Sequence, residues 1–76
     1  MPIFRYYVDD EEQLTDKHEM TPTKILIQAQ LSPEQYYLEQ IDGAEPISYK
    51  DDPNWVIHMH QDMHFVSVYT GPTTLS

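Results

Sequence analysis

The chain has 76 residues, a formal net charge of -9 and no cysteine. Its length is that of one small domain. The missing thiols exclude disulfides, thiolate catalysis and the common cysteine-ligated zinc sites. With 13 acidic residues against four basic ones, the surface repels nucleic-acid phosphates and favours partners with basic faces.

The pattern of apolar residues gives no sign of a membrane segment. The longest wholly apolar run, residues 25–27, falls far short of the ~20 residues that span a membrane. No basic segment leads into an apolar one near the N-terminus, so no signal peptide is visible. We therefore expect a cytoplasmic protein.

A β-hairpin is the first element that the sequence predicts. Phe4, Tyr6 and Val8 alternate with polar or half-polar neighbours, which is the period of a half-buried strand. Asp9–Asp10 predicts a turn, because Asp side chains bond the nearby backbone and tolerate unusual dihedral angles. Residues 11–20 are expected to form the return strand.

The stretch "TPTKILIQAQL" predicts a helix near residues 22–31. Thr21 is suited to cap the free N–H groups, and Pro22 suits the first helical position because its missing N–H costs nothing there. Ile25, Leu26 and Ala29 form one apolar face at helical spacing. So short a helix is unstable alone and must pack against another element.

Further strands follow the helix. Residues 34–41 alternate, with Leu38 on one side and Tyr37 and Glu39 on the other. Gly43 marks a turn, because glycine adopts positive φ without steric cost. A very short strand is expected near 47–49. Residues 55–60 form the last strand that we assign, and residues 64–69 either extend it or re-enter the sheet.

One amphipathic helix on one face of a mixed sheet is an α+β arrangement. We predict four or five strands with the helix packed on them. The side chains expected to be buried together are Ile25, Leu26, Ala29, Leu38, Ile57 and Met59.

Four segments in this order carry a family resemblance: "YYVDDEEQL", "TPTKIL", "LSPEQYYLEQIDG" and "HFVSVYTG". Together they resemble the ubiquitin-like β-grasp, most closely the bacterial ubiquitin-like modifiers and multiubiquitin proteins. The resemblance covers about residues 4–69. It implies a ubiquitin-like domain over residues 1–69 and a flexible C-terminal tail over residues 70–76.

The resemblance implies a modifier that is not itself an enzyme and needs no cofactor. Its C-terminus would be activated by an E1-like adenylating enzyme, conjugated through an E2-like enzyme and processed by a deubiquitinase-like peptidase, with bacterial antiphage defence as one implied role. The alternative is a non-conjugated β-grasp module that docks a basic partner protein. A sulfur carrier is a third class, although such carriers need a terminal glycine carboxylate.

The resemblance also points to a partner-binding surface. If the sheet follows the order of ubiquitin, the strand over 34–41 lies beside the last strand. Tyr37, Glu39, His58 and His60 would then share one exposed face, the face that commonly docks partner enzymes in this family. An ordinary solvated sheet face is an equally good interpretation, because antiparallel sheets often have one wet side.

Three histidines raise the question of a metal. His58, His60 and His64 lie within "HMHQDMH", and neutral imidazoles are good ligands for zinc or copper. Such sites also need a fixed set of supporting contacts. We therefore interpret these histidines as solvated sheet positions and predict no metal site.

The tail "TGPTTLS" offers two candidate reactive residues, Gly71 and Ser76. Cleavage after Gly71 would break a Gly–Pro bond, whose tertiary amide most hydrolase sites handle poorly. We therefore favour a carboxylate on Ser76, with Gly71 as the swivel of an extended tail that begins near Thr70. An inert terminus is the remaining possibility.

Overall fold

The computed structural model describes residues 2–71. Within them the elements are β1 (Phe4–Val8), β2 (Glu11–Thr15), β3 (Glu19–Met20), α1 (Pro22–Gln28), β4 (Tyr36–Asp42), β5 (Glu45–Ser48), β6 (Ile57–His58) and β7 (Met63–Tyr69). Five strands form one mixed sheet in the order β2-β1-β7-β4-β5, and β3 pairs with β6 separately. This α+β arrangement confirms the predicted fold class and is compatible with a β-grasp.

Strand β7 occupies the centre of the main sheet. It runs parallel to β1 and antiparallel to β4. The turn between β1 and β2 is tied to it: the Asp9 amide donates to the Phe65 carbonyl at 3.0 Å. The Asp9 carboxylate accepts from the Ser67 amide at 2.9 Å and from the Ser67 hydroxyl at 2.5 Å. The predicted turn is therefore confirmed, and it also fastens the two central strands.

The start of α1 is capped as predicted. Thr21 Oγ1 accepts from the Lys24 amide at 3.2 Å, and Pro22 is the first helical residue. The helix ends at Gln28 rather than near residue 31, because Gln30 takes a left-handed φ of 65°. The Leu31 amide then donates to the Leu26 carbonyl at 2.9 Å, which is the bond that closes a Schellman-type helix end.

The core lies between α1 and the sheet. Leu38, with 0% of its surface exposed, stands on β4 beneath Ile25 and Leu26, and this confirms the predicted register of the strand. The predicted burial of Ile57 and Met59 is also confirmed, while Ala29 is half-buried at the edge. The full buried apolar cluster is Tyr6, Val8, Met20, Ile25, Leu26, Leu38, Tyr49, Ile57, Met59, Met63 and Phe65.

The predicted strand over residues 55–60 is wrong in extent and in place. Only Ile57–His58 is a strand, and it pairs with β3 outside the main sheet. Trp55 ends a turn, its amide donating to the Asp52 carbonyl at 3.2 Å, and its side chain is 60% exposed. The sheet position beside β4 belongs to β7 instead, which is the segment that we expected only to extend or re-enter the sheet.

The predicted return strand over residues 11–20 is also too long. Strand β2 ends at Thr15, and the chain then leaves the main sheet before residues 19–20 pair with β6. The two apolar residues of this stretch consequently differ in burial: Met20 is in the core, whereas Leu14 is exposed.

The side chain of Gln61 makes hydrogen bonds to the backbone of β1 and of the residue before it that a neighbouring strand would otherwise make. Its Oε1 accepts from the Arg5 amide at 2.9 Å, and its Nε2 donates to the Ile3 carbonyl at 2.5 Å.

We expect Gln61→Ala to lower the free energy of unfolding by about 1–2 kcal/mol, because two backbone groups lose their partner. Urea unfolding followed by circular dichroism measures this. Gln35→Ala is the control, since Gln35 bonds Thr70 through its backbone carbonyl; equal losses for both variants would contradict the assignment.

Candidate functional site

The side of the main sheet that faces away from α1 is called the outer face below. Strand alternation places on it the residues opposite in direction to the buried Tyr6, Val8, Leu38 and Phe65. Apart from Tyr7 on β1, its half-buried side chains are grouped on β4 and β7, and exposed side chains lie around them. Its members on β1, β2, β4 and β7 are Arg5, Tyr7, Glu12, Leu14, Tyr37, Glu39, Ile41, His64, Val66 and Val68.

The centre of the outer face is aromatic and aliphatic. Tyr37 lies opposite Val68, and Glu39 lies opposite Val66. The Tyr37 hydroxyl is 3.5 Å from Glu39 Oε2, a long hydrogen bond, and Lys50 Nζ lies 5.9 Å from the centroid of the Tyr37 ring. The polar groups here are thus engaged with one another, and the two valines are left as the apolar contact area.

Aromatic stacking and an ion pair mark the other end of the outer face. The rings of Tyr7 and His64 stack with their centroids 4.8 Å apart and an interplanar angle of 14°. Arg5 bonds Asp62 Oδ1 at 3.1 Å, and this hydrogen bond raises the pKa of the guanidinium above its ordinary value. Ile41 remains 43% exposed beside them.

The structure separates the four residues predicted to share one face. Tyr37 and Glu39 lie together on the outer face, but His58 lies on β6, where its Nδ1 is 3.4 Å from Glu19 Oε2. His60 follows β6, and its amide donates to the Met63 sulfur at 3.4 Å. The prediction of a single face is wrong because β7, not residues 55–60, lies beside β4. The docking role of each residue stays a prediction.

Sequence reasoning missed Val66 and Val68 as neighbours of Tyr37 and Glu39. Their signal was present in "HFVSVY", which alternates over its whole length as a half-buried strand does. The structure thereby changes the expected chemistry of the face, since aliphatic side chains stand where imidazoles were predicted.

The three histidines that raised the metal question lie apart. His58 is on the β3–β6 pair, whereas His64 stacks on Tyr7 on the outer face. Among residues 2–71, no group of three His, Cys, Asp or Glu side chains is placed to hold a metal ion.

The end of β7 is fastened to the turn before β4. The Thr70 amide donates to the Gln35 carbonyl at 2.7 Å, and the Thr70 hydroxyl donates to the same oxygen at 3.1 Å. Gly71 then packs so closely on the Tyr69 ring that a Cβ at this position would collide with it. Thr70 is therefore bonded to the domain, and a side chain at position 71 would require the exposed Tyr69 ring to turn aside. Ser76, the other predicted reactive residue, lies outside the described residues.

Comparisons with protein-family models, with curated proteins and with solved structures find no match to this chain. In residues 2–71 no helix is long and apolar enough to cross a membrane. The fold and the outer face define a small α+β domain, compatible with a β-grasp, that presents a mixed apolar and polar sheet surface.

Proposed function

We propose that this chain is a ubiquitin-like protein modifier with no catalytic activity of its own. Its C-terminal carboxylate would be activated by an E1-like adenylating enzyme and transferred to targets through an E2-like enzyme, with a deubiquitinase-like peptidase acting on the product. The setting would be a bacterial ubiquitination-like pathway in the cytoplasm, with antiphage defence as its role. The observation that carries the proposal is the position of β7.

Strand β7 supports a modifier because it joins the chain end to a rigid body. It is paired on both sides, with β1 and with β4, so the segment that follows it starts from a strand in the middle of the sheet. Thr70 adds two hydrogen bonds to Gln35 at the exit. A partner enzyme would thus meet a fixed surface with Thr70 at a defined place relative to it.

Gly71 supports the same proposal through its size. A chain that threads into a narrow enzyme channel benefits from a residue without a side chain, and Gly71 is such a residue at the point where the chain leaves Tyr69. We assign the joined carboxylate to Ser76, because release at Gly71 would need hydrolysis of the bond to Pro72. Pro72 and Ser76 lie outside the described residues, and this assignment rests on the sequence.

Chemical synthesis of two forms that differ in one group tests the modifier proposal. One form ends in the Ser76 carboxylate and the other in the Ser76 amide, and circular dichroism checks that both fold. Each carries an N-terminal biotin and is incubated with ATP in a lysate of the organism that encodes it. We expect denaturant-resistant adducts from the carboxylate form alone, identified by mass spectrometry of the joined peptide.

A third form that ends at Gly71 tests the residue assignment. Adducts from this form together with none from the carboxylate form would reassign the joined residue to Gly71. No adduct from any form, under conditions in which the chain is folded and ATP is consumed, would refute the modifier proposal.

A non-conjugated docking module is the second candidate, and one observation favours it. The outer face exposes Ile41 diagonally across from the half-buried Val66, with Val68 further along β7, and exposed apolar patches often mark interaction surfaces. Partners of such a module would carry a basic rim, because the chain is strongly acidic. Non-covalent complexes formed equally by the carboxylate and amide forms, and lost in Val68→Lys, would support this candidate.

A further inference from the structure

An open depression lies at the β5 edge of the sheet, between that strand and the loop that follows it. Its volume is about 340 Å³, and its lining is Ile47, Ser48, Tyr49, Asp52 and Trp55. Ile47 and Tyr49 stand opposite the buried Gln40 and Leu38, so these two side chains lie on the α1 side of the sheet, and only Ser48, opposite Glu39, has the direction of the outer face. It is therefore a separate surface from the one described above.

The loop that carries Trp55 is braced from two directions. The Asp52 amide donates to the Tyr49 carbonyl at 3.1 Å. The Pro53 carbonyl accepts from the Thr23 amide at 3.1 Å and from the Thr23 hydroxyl at 2.8 Å. The indole of Trp55 is thus exposed on a loop whose backbone is fixed by hydrogen bonds. Tryptophan is enriched at the energetic centres of protein interfaces, where such a ring is covered by a partner.

The stretch of chain around Trp55 is acidic in sequence, and Asp52 is the carboxylate that lines the depression together with Trp55. Lys50 is the only lysine or arginine between residues 42 and 62, and its ammonium lies over the Tyr37 ring. Tyr37 belongs to the outer face, so this cation is directed away from the depression. The acidic residues in the same stretch are Asp42, Glu45, Asp51 and Asp52, besides Asp62, which pairs with Arg5.

Strand β5 is poorly suited to accept another strand. The Tyr49 amide donates to the Leu38 carbonyl at 2.9 Å, so Leu38 and Tyr49 form a hydrogen-bonded pair. Because such pairs alternate along an antiparallel ladder, Pro46 opposite Ile41 is in a non-hydrogen-bonded pair, and its missing N–H faces the free edge. Recognition at this edge therefore falls to side chains and not to a new backbone ladder.

We propose that this depression binds an arginine side chain presented by an extended basic segment of a partner protein. The guanidinium lies over the Trp55 indole and pairs with the Asp52 carboxylate, and the methylene groups of the arginine cover Ile47. Arginine is the residue that this lining fits, because its planar cation stacks on aromatic rings while its N–H groups reach a carboxylate. The inference needs only the folded domain and does not depend on conjugation.

The single tryptophan of the chain makes the site directly observable. A blocked glycine–serine peptide with one central arginine is titrated into the full chain, and its lysine and citrulline counterparts are titrated in parallel. We expect saturable changes in Trp55 fluorescence and in the nuclear magnetic resonance signal of the indole N–H. The arginine peptide should bind about tenfold tighter than the uncharged citrulline peptide, a ratio typical of one charge-assisted contact.

Two variants with the same change in net charge separate a site from general attraction. Asp52→Asn should weaken the arginine peptide by about threefold or more, because the pairing carboxylate is lost. Asp10→Asn removes one charge at the β1–β2 turn, on the opposite edge of the sheet, and should leave the affinity unchanged. Added salt should weaken binding of the arginine peptide to both variants, because salt screens the attraction between charges.

Three results would overturn the inference. The first is a signal that rises with peptide concentration without saturating. The second is an equal effect of Asp52→Asn and Asp10→Asn, which would mean that net charge alone attracts the peptide. The third is a lysine peptide that binds as tightly as the arginine peptide, since a stacked guanidinium would then contribute nothing.

Discussion

Replacement of Leu38 by alanine is expected to lower the free energy of unfolding by about 2–5 kcal/mol, the usual cost of emptying a leucine site in a core. Leu38 is wholly buried in β4, between α1 and the sheet. Small domains have total stabilities of about 5–15 kcal/mol and tend toward the lower end. The variant should therefore be partly unfolded at room temperature, as measured by urea titration with far-ultraviolet circular dichroism.

Ile41→Ala is the matched control for this prediction. Ile41 lies on the same strand, but it faces the outer side and keeps much of its surface in water. Truncation there removes similar apolar atoms without opening a cavity, so the expected loss is below about 1 kcal/mol. Comparable losses for the two variants would mean that the assignment of the two faces of β4 is incorrect.

Local signals made the helix and strand β4 predictable from the sequence. Thr21 and Pro22 fix the start of α1 because one supplies a hydrogen-bond acceptor and the other a preset φ. Alternation in β4 fixes which side of the strand Leu38 occupies. The end of the helix was not predictable in the same way, because Gln30 takes a left-handed conformation that glycine or asparagine more commonly signals.

The identity of the central strand depended on long-range pairing. Residues 55–60 and residues 63–69 both alternate, and alternation says nothing about which segment lies beside β4. Asp62, with a φ of 64°, turns the chain between them and bonds β1 through its amide and carboxylate, which sets β7 in the central position. Because residues 55–60 were paired with β4 in the prediction, the predicted surface contained histidines where the structure has valines. Tyr37 and Glu39 were nevertheless placed correctly by strand alternation.

Two buried tyrosines should respond in opposite directions to loss of the hydroxyl group. Among residues 2–71, the Tyr6 hydroxyl has no hydrogen-bond partner, whereas the Tyr49 hydroxyl donates to Gln40 Oε1 at 2.9 Å. Tyr6→Phe keeps the edge contact with the Phe65 ring and removes an unpaired polar atom. We expect it to raise the free energy of unfolding by about 1 kcal/mol.

Tyr49→Phe should instead lower the free energy of unfolding by about 1–3 kcal/mol, because it leaves the buried amide oxygen of Gln40 without its partner. The two substitutions remove the same atom from the same residue type, so intrinsic propensity cancels between them. Thermal and urea unfolding at neutral pH measure both. A loss in Tyr6→Phe as large as that in Tyr49→Phe would show that the Tyr6 hydroxyl is satisfied.

The same tyrosines predict how stability falls in alkali. Burial raises the pKa of Tyr6 to about 12, and burial followed by the charge of Asp42 raises the pKa of Tyr49. An unfolded tyrosine loses its proton near pH ~10, so at higher pH the unfolded chain binds fewer protons than the folded one. Below that pH the ionisation of these tyrosines costs no unfolding free energy. The unfolding free energy then falls as pH rises toward about 12, the pKa of the folded Tyr6. Tyr6→Phe should therefore flatten the decline of unfolding free energy between these pH values, and a decline as steep as that of the parent chain would refute this assignment.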